Sequence, residues 1–421
     1  MTDAAEQQSE ALWRRDGRLL FITRLARMFA YGLLSVVLVL YLAAVGLGQA
    51  QIGLLLSLTL LGDAAVSLWI TTHADRLGRR RMLIAGAGLM LLAGILFAVT
   101  RRFGWLLFAA TVGVISPSGN EVGPFLAIEQ AALTQVVAAQ RRTSLFAWYN
   151  LAGSFATALG ALCGGGLAQV LLGRGLSALQ SYRAVVIGYA VIGGLLAWLF
   201  TRLSPAVETV PGTAAGAAGL LGLHNSRGVV LRLAALFGLD AFGGGFVVQS
   251  IVAYWFNQRF GVEPGVLGAI FFGANVLAGL SALSAARLAR RIGLIRTMVF
   301  THIPSSLLLM LVPLMPTLPL AIAVLLVRFS ISQMDVPTRQ SYTLAVVQPD
   351  ERSAAAGVTG IARTVGASLA PLITGPLLAN PALVAWPFLL AGGIKIGYDL
   401  LLYRSFRRLP PPEERKPGLR E

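Results

Sequence analysis

The chain has 421 residues, of which 56% are hydrophobic and only 12% are charged, and its mean hydropathy is +0.74. A soluble domain carries about a quarter charged residues, so this composition excludes a soluble globular protein. The net charge of +16 does not indicate a nucleic-acid partner, because arginines in short loops set the orientation of a membrane protein.

Apolar segments of about 20 residues, the length that crosses a bilayer as a helix, recur along the chain. Backbone polar groups must be satisfied internally in lipid, and the segments are too long for barrel strands, so an all-α polytopic membrane protein is predicted. The twelve predicted transmembrane helices lie at 20–45, 51–73, 82–100, 105–138, 143–172, 181–203, 229–256, 265–289, 297–316, 318–347, 353–379 and 383–404.

The segment 204–228, between the sixth and seventh spans, is rich in glycine, alanine and proline and is predicted to be a cytoplasmic linker. It divides the chain into an N-terminal six-helix bundle at 1–203 and a C-terminal six-helix bundle at 229–421, which includes a short basic tail. The polar N-terminus is predicted to contain no cleavable signal peptide before the first apolar run.

Positive charge is divided unevenly between the predicted loops. If both ends are cytoplasmic, the loops on the opposite side contain only Arg101, Arg102, Arg174, Arg183 and Arg259. The cytoplasmic tails and loops hold most of the other lysines and arginines, as the positive-inside rule requires. The sequence therefore predicts that both termini are cytoplasmic.

The two halves are related in sequence. Aligned without gaps, "EQAALTQVVAAQRR" at 129–142 lies over "RQSYTLAVVQPDER" at 339–352, so that Gln130 matches Gln340. An even number of helices in each half makes such a repeat parallel, with its axis along the membrane normal. Two pseudo-symmetric six-helix bundles are therefore predicted.

A cluster of charges interrupts the apolar sequence at "THADRLGRRR", residues 72–81, between the second and third spans. It resembles the loop signature of the major facilitator superfamily, Gly-x-x-x-Asp-Arg-x-Gly-Arg-[Arg/Lys]-[Arg/Lys], with Thr71 at the first glycine. A weaker copy, "ARRIGLIR", lies at 289–296. The resemblance implies a transporter whose halves are latched in the outward-facing state by a gating group. Its members are Asp75, Arg76, Gly78, Arg79, Arg80 and Arg81; the alternative is that they only fix orientation.

A second pattern resembles the fifth helix of antiporters in that superfamily, Gly-x-x-x-Gly-Pro-x-x-Gly-Gly. Here it is "ATALGALCGG" at 156–165, and the eleventh span has "GASLAPLITG" at 366–375. Small residues allow helices to approach closely, so helix interfaces are expected here, and ordinary small-residue packing is the alternative. The residues concerned are Gly160, Gly164, Gly165, Gly366, Pro371 and Gly375.

Ionisable residues within a span are costly and mark functional candidates. The resemblance implies that the first, fourth, seventh and tenth helices line a central cavity, and charged residues are concentrated on these four helices. The proton-coupling candidates, in order, are Glu129, Glu121, Asp240 and Asp335, each of which has a static salt bridge as its alternative role. The cavity or substrate candidates are Arg24, Arg27, Arg328, Arg339, Asn120 and Gln249.

The fourth span is predicted to be broken or kinked, because "ISPSGNEVGPFLAIEQ" at 115–130 combines prolines and glycines with two acids. In the tenth span Asp335 and Arg339 lie four residues apart on one helix face, so a local neutral pair is the alternative to a functional role.

Two pairings between the halves are predicted. Glu129 and Arg339 are equivalent in the repeat and are expected to pair when the cytoplasmic side is closed. Asp63 and Arg363 lie at similar depth on the second and eleventh spans, which the resemblance makes neighbours, so they are expected to form a gating bridge.

These features together predict a secondary transporter rather than an enzyme: proton-coupled efflux of a small amphiphilic molecule by alternating access. The alternative is transport of an organic or phosphorylated anion by the intramembrane arginines. No cofactor or metal is expected, since the single cysteine, Cys163, leaves no metal cluster and no phosphate-binding glycine loop occurs. The chain is expected to act as a monomer in a cell membrane, the bacterial inner membrane.

Overall fold

The computed structural model describes residues 13–136, 139–208, 223–348, 351–407 and 409. Within these ranges every regular element is a helix, as the sequence predicts. Among the described residues, ten helices are long and apolar enough to cross a membrane. Two further apolar helices, at Phe103–Val112 and Leu318–Phe329, are shorter than a span.

The chain divides into two compact units. The first consists of Met1–Ala215 and Val248–Phe272. Its helices are α1 (Arg18–Val45), α2 (Gln49–Leu77), α3 (Arg79–Val99), α4 (Phe103–Val112), α5 (Phe125–Val136), α6 (Ala139–Gly173), α7 (Ala178–Phe200), and α9 (Gln249–Phe260) with the start of α10 (Pro264–Ile292).

The second unit consists of Gly216–Val247 and Gly273–Glu421. Its helices are α8 (Arg227–Gly245), the remainder of α10, α11 (Leu294–Leu311), α12 (Leu318–Phe329), α13 (Asp335–Ala345), α14 (Arg352–Ala379) and α15 (Trp386–Phe406). The boundaries predicted from the sequence follow the internal repeat rather than these contacts, and they stay a prediction.

Three of the predicted spans are not continuous helices. The fourth is interrupted at 113–124, which confirms the expected break. The seventh is interrupted at 246–248 and the tenth at 330–334, where the sequence analysis predicted single spans. The seventh span breaks directly after the run Gly243–Gly245, and glycine is a poor helix former because it loses the most backbone freedom on folding.

Glycines with positive φ end several helices of the first unit, among them α1 and α2. Gly46 follows α1 with φ of 100°, and its N–H bonds back to the last turn of that helix. Gly78 separates α2 from α3 with φ of 98°. Because such φ values are strained for other residues, glycine permits the sharp turn inside the charged signature loop.

The same kind of helix pair is packed tightly in each unit. In the first unit, a Cβ atom at Gly160 of α6 would lie 2.0 Å from the Phe29 carbonyl oxygen of α1. A Cβ atom at Gly164 would lie 2.2 Å from the Leu33 carbonyl oxygen of the same helix. In the second, a Cβ atom at Gly366 of α14 would lie 2.1 Å from the Gly238 carbonyl oxygen on α8. These backbones approach closely because the glycines have no side chain.

Candidate functional site

Two arginines on α1 point to one buried cluster in the first unit. Arg24 and Arg27 are three residues apart, so their side chains leave the same face of the helix. Glu129 lies in the second turn of α5, and Glu121 lies in the non-helical segment 113–124. The break after α4 therefore provides one acid and the restart of the helix provides the other.

Arg27 is shared by both acids. Its Nη1 and Nη2 each donate to one oxygen of Glu129 at 2.7 Å, and its Nε donates to Glu121 Oε1 at 2.9 Å. Arg27 and Glu129 are fully buried, whereas the Glu121 side chain is 14% exposed. The Tyr149 hydroxyl also donates to Glu129. Parallel arginine–carboxylate bonds of this kind fix geometry as well as contributing energy.

Arg24 completes the cluster. Its Nη1 donates to Glu121 Oε2 at 2.5 Å and its Nε donates to the Tyr149 carbonyl oxygen at 3.0 Å. Its Nη2 donates to Asn150 Oδ1 at 3.2 Å, and the guanidinium lies 4.2 Å from the centre of the Tyr149 ring. Two cations and two anions balance, so the cluster is neutral while buried.

The non-helical segment 113–124 is held by side chains from other helices. The Tyr31 hydroxyl donates to the Val122 carbonyl oxygen, the Thr157 hydroxyl to that of Gly119, and the Tyr189 hydroxyl to that of Val114. Backbone groups freed by a helix break must find such partners within a bilayer. Three helices thus determine the position of Glu121.

A second cluster, in the second unit, is centred on Asp240 of α8. Lys395 Nζ donates to Asp240 Oδ1 at 2.6 Å. Arg339 and Arg363 each donate from Nη1 to Asp240 Oδ2 at 3.1 Å. His302 Nε2 lies 3.7 Å from Oδ1. One carboxylate therefore joins α8 to α11, α13, α14 and α15.

Two further acids neutralise this cluster. Arg339 Nη1 also donates to Asp335 Oδ2, one turn earlier on α13, at 2.9 Å. The local pair that the spacing indicated is therefore present. His302 Nδ1 lies 3.0 Å from both oxygens of the fully buried Asp399. Three basic side chains thus face three carboxylates, with the imidazole between two of the acids.

One cation of the second cluster is accessible. The Arg363 side chain is 34% exposed, while those of Arg339, Lys395 and Asp240 are 8%, 11% and 4% exposed. Arg363 contacts the cluster through one nitrogen only in the residues that the structure describes. Its guanidinium therefore has donors that an anion could reach.

The signature loop binds the start of the predicted linker. The Glu208 carboxylate accepts hydrogen bonds from the backbone N–H groups of Arg79 at 2.6 Å and Arg80 at 3.2 Å. The Arg80 guanidinium donates to the Leu203 carbonyl oxygen at 3.2 Å. Glu208 caps the N-terminus of α3, where the helix dipole favours a negative charge. Arg76 and Arg81 are exposed, and the Asp75 side chain lies outside the described residues.

A comparable cap lies at the start of α8, outside the membrane spans. The buried Glu351 carboxylate accepts from the backbone N–H groups of His224, Asn225 (2.8 Å) and Ser226 (2.9 Å). Burial opposes ionisation, but the hydrogen bonds from the Ser226 side chain and from these three backbone groups outweigh it and lower the pKa of Glu351 to about 2.

The remaining predicted polar residues lie apart from both clusters. Asn120 is exposed in the segment 113–124. Gln249 Nε2 donates to Ser35 Oγ at 2.7 Å, which joins α9 to α1 within the first unit. The Arg328 Nε is buried without a hydrogen-bond partner in the described residues, and its guanidinium lies 4.9 Å from the centre of the Phe329 ring.

The predicted pairings between the halves stay predictions. Within their own units Glu129 pairs with Arg27, Arg339 with Asp240 and Asp335, and Arg363 with Asp240. The Asp63 Oδ1 atom has no hydrogen-bond partner among the described residues.

Four of the predicted helix-interface residues, Gly160, Gly164, Gly165 and Gly366, lie in tight contacts within their own units. Gly165 of α6 would bring a Cβ atom to 2.2 Å from the Pro264 carbonyl oxygen of α10. Pro371 and Gly375 lie inside α14, which continues through both Pro371 and Pro376.

Lys395 and Asp399 are among the intramembrane charges that mark functional candidates, and Tyr149 is among the aromatic residues that could line the cavity. No specific site was predicted from these three residues or from His302. Lys395 and Asp399 are four residues apart on α15, a spacing that could have identified them as one charged face. His302 lies within α11 and had no local signal. Tyr149 contributes both its hydroxyl and its carbonyl oxygen, and an aromatic residue in a long helix gives no indication of this.

Comparison with known proteins gives a consistent result. The sequence profile of the Major Facilitator Superfamily matches residues 20–371 and 233–421. An uncharacterized membrane protein of Saccharomyces cerevisiae is 31% identical over 422 residues, covering 93% of this chain and 94% of that protein.

Solved structures share the fold at low sequence identity. The nucleoside transporter NupG has a TM-score of 0.69 at 14% identity, with 93% of this chain and 99% of that chain covered. A D-xylose–proton symporter has a TM-score of 0.70 at 15% identity, covering 92% and 96%. The human organic anion transporter MFSD10 has a TM-score of 0.60 at 17% identity, covering 92% and 99%. The predicted fold, two pseudo-symmetric six-helix bundles, is confirmed.

Proposed function

Because the chain belongs to the Major Facilitator Superfamily of membrane transporters, we propose that it is a proton-coupled secondary transporter that exports a small amphiphilic molecule by alternating access. In this proposal a bundle at 1–203 and a bundle at 229–421 move about a central site, connected by the linker 204–228. The protein acts as a monomer and catalyses no chemical reaction.

The observation that supports proton coupling is the sharing of Arg27 between Glu121 and Glu129. Breaking a buried ion pair by removing one partner costs about 3–5 kcal/mol, because a buried charge is left uncompensated. Arg27 keeps both terminal nitrogens on Glu129 if Glu121 takes up a proton. A proton can therefore enter this cluster at the more exposed acid without isolating Arg27.

Protonation of Glu121 removes the negative charge that Arg24 contacts through its Nη1 atom. Arg24 retains its bonds to Tyr149 and Asn150, which are neutral acceptors. It then carries net positive charge, which repels a cationic substrate and attracts an anionic group. Proton binding and cation binding would thus exclude one another, as exchange transport requires.

The outward direction and the amphiphilic cargo are supported by the partial antiporter pattern around Gly160 and Gly165. That pattern allows α6 to approach α1 and α10 closely. Small residues at these positions allow the helix backbones to pack directly against one another.

A second candidate function is transport of an organic or phosphorylated anion. The specific observation in its favour is Arg363, a 34% exposed guanidinium attached to Asp240 through one nitrogen. Arginine binds carboxylates and phosphates through paired N–H groups, so the other donors suit such a ligand. The structural similarity to a human organic anion transporter is compatible with this alternative.

Transport current from proteoliposomes on a solid support distinguishes the two candidates. Ethidium serves as the cationic amphiphile and p-aminohippurate as the organic anion, each applied with and without a pH gradient. We expect a current with ethidium that requires the gradient and is lost in Glu121→Gln and Glu129→Gln. Glu263→Gln, on an exposed loop acid, is the control and should transport normally.

The outcomes are distinct. A current with p-aminohippurate alone, lost in Arg363→Ala, would overturn cation export in favour of anion transport. A current that is independent of the pH gradient in both arms would overturn proton coupling.

The proposal also fixes an orientation: both termini are cytoplasmic, and the membrane is a bacterial inner membrane. The loop arginines support this orientation, whereas a relative from yeast gives no support for a bacterial membrane. A reporter fused after Glu421 that is active only in the cytoplasm tests the orientation, and activity of a periplasmic reporter at that position would overturn it.

A further inference from the structure

Asp63 differs from the other intramembrane acids of the first unit. It lies in the middle of α2, and its residue surface is 9% exposed. Its neighbour Gly62 brings α2 so close to α4 that a Cβ atom there would lie 1.9 Å from the Thr111 carbonyl oxygen. The Asp63 side chain is thus held between tightly packed helices.

No cation partners the Asp63 carboxylate in the described residues of its unit. Its Oδ1 atom is the one buried carboxylate oxygen that has no hydrogen-bond partner in the described chain. Ser67 Oγ, one turn further along the same face of α2, is buried beside this carboxylate. By contrast, Glu121 and Glu129 each hold an arginine.

The ionisable groups near Asp63 do not supply a positive charge. Glu121 faces it from the segment 113–124, Tyr31 from α1 and Tyr189 from α7. Arg24 and Arg27 are bound to the two glutamates. An ionised carboxylate buried without a cationic partner is costly, and adding a proton removes the charge.

We propose that Asp63 binds the coupling proton, with Ser67 Oγ as the hydrogen-bond partner of the protonated carboxyl group. This inference rests on the proposed function, to which it adds a second residue that binds a transported proton. Glu121 takes up a proton at the arginine cluster, and Asp63 is a further proton-binding site on α2.

Asp63 is connected to the arginine cluster through the backbone. The Gly123 N–H donates to the Asp63 carboxylate, and Gly123 belongs to the same non-helical segment as Glu121. Protonation weakens this hydrogen bond and removes the repulsion between Asp63 and Glu121. Both effects change the position of Glu121, which is bound to Arg24 and Arg27, so proton binding at α2 is transmitted to the substrate-facing charges.

Infrared difference spectroscopy of the purified protein tests this without a substrate. Lowering the pH from about 8 to about 5 should produce the C=O band of a protonated carboxyl group, since ordinary aspartates stay ionised over this range. We expect the band in wild type, its loss in Asp63→Asn, and its return at a shifted frequency in Asp63→Glu. Asp16→Asn, in which a carboxylate bound by Ser204 is removed, should leave the band unchanged.

Labelling guards against a variant that does not fold. In wild type grown with ¹³C-aspartate the band should shift, and a shift with ¹³C-glutamate instead would overturn the assignment. A band of full intensity in Asp63→Asn would also overturn it. A band that sodium chloride removes but choline chloride does not would assign the site to a sodium ion and overturn the proton.

The two proposals fail separately. If the band belongs to Asp63 but no pH-gradient-dependent current is found, the proposed function is wrong, and Asp63 binds a proton that is not coupled to transport. If the current depends on the gradient while Asp63→Asn keeps the band, the proton site lies elsewhere.

Discussion

Arg27 and Glu129 form a fully buried, two-bond ion pair, with both donor–acceptor distances at 2.7 Å. The two residues lie on α1 and α5 and are separated by 102 positions in the sequence. Since neither side chain is exposed, the pair depends on mutual compensation rather than on solvent.

Replacing only one partner of this pair should destabilise the first unit more than replacing both. Arg27→Met leaves Glu129 buried with the Tyr149 hydroxyl and Thr23 as its remaining partners, and should lower the free energy of unfolding by about 3–5 kcal/mol. The double variant Arg27→Met, Glu129→Leu should recover most of that loss. Thermal unfolding in detergent measures both. A double variant that is less stable than the single one would contradict compensation.

Asp240 and Asp335 should differ strongly in importance, although both contact Arg339. Asp240→Asn leaves Lys395 and Arg363 without their carboxylate, whereas Asp335→Asn leaves Arg339 still bound to Asp240. We therefore expect the decrease in melting temperature caused by Asp240→Asn to be several times larger than the decrease caused by Asp335→Asn. Equal effects of the two variants would show that Asp240 is not the centre of the cluster.

Gly160 should not tolerate even a methyl group. A Cβ atom there would lie 2.0 Å from a backbone oxygen of α1, and overpacking of this kind costs about 1–3 kcal/mol. Gly166 on the same helix has no atom within 4 Å of an added Cβ, and is the matched control. Gly166→Ala should leave stability unchanged or raise it by up to about 1 kcal/mol, because alanine is the better helix former. Unfolding of the two variants side by side decides this.

The Glu351 cap should make the second unit sensitive to acid. Its folded pKa is lowered to about 2 from the ordinary value near 4.5, so its contribution is fully present above the ordinary value and is lost as the pH falls towards 2. Melting temperatures between about pH 6 and about pH 3 should fall less steeply for Glu351→Gln than for wild type. Glu263→Gln, which replaces an exposed acid, is the control. If Glu351→Gln showed the same dependence of melting temperature on pH as wild type, the role of Glu351 as a cap would be contradicted.

The sequence predicts the helical class, the location of most spans and the helices that carry the charged residues. The length of each apolar segment indicates which residues lie within lipid. Because a charged side chain is costly in lipid, the few charged residues within these segments are functional candidates. The break near Glu121 was predicted because prolines and glycines occur beside it, whereas the breaks before Gln249 and Asp335 were not.

The ion-pair partner of a charged residue could be predicted only where the two residues are close in sequence on one helix. Asp335 and Arg339 are one helical turn apart, so their pair follows from spacing alone. The pairing of Arg27 with Glu129, or of Asp240 with Lys395, depends on the rotation of each helix about its own axis. Apolar residues surround these helices on every side, so their sequences carry little information about rotation. Tyr149 and His302 were missed for the same reason.

The interruption at 113–124 has a consequence for biosynthesis. The ten residues of α4 extend about 15 Å, roughly half the thickness of the hydrocarbon core, and the freed backbone after them is polar. This segment cannot be stable in lipid when it first leaves the ribosome and translocon. The hydroxyl groups of Tyr31, Thr157 and Tyr189 supply its missing bonds, and two of the three are synthesised later. Stable insertion of this part of the chain must therefore wait for α6 and α7.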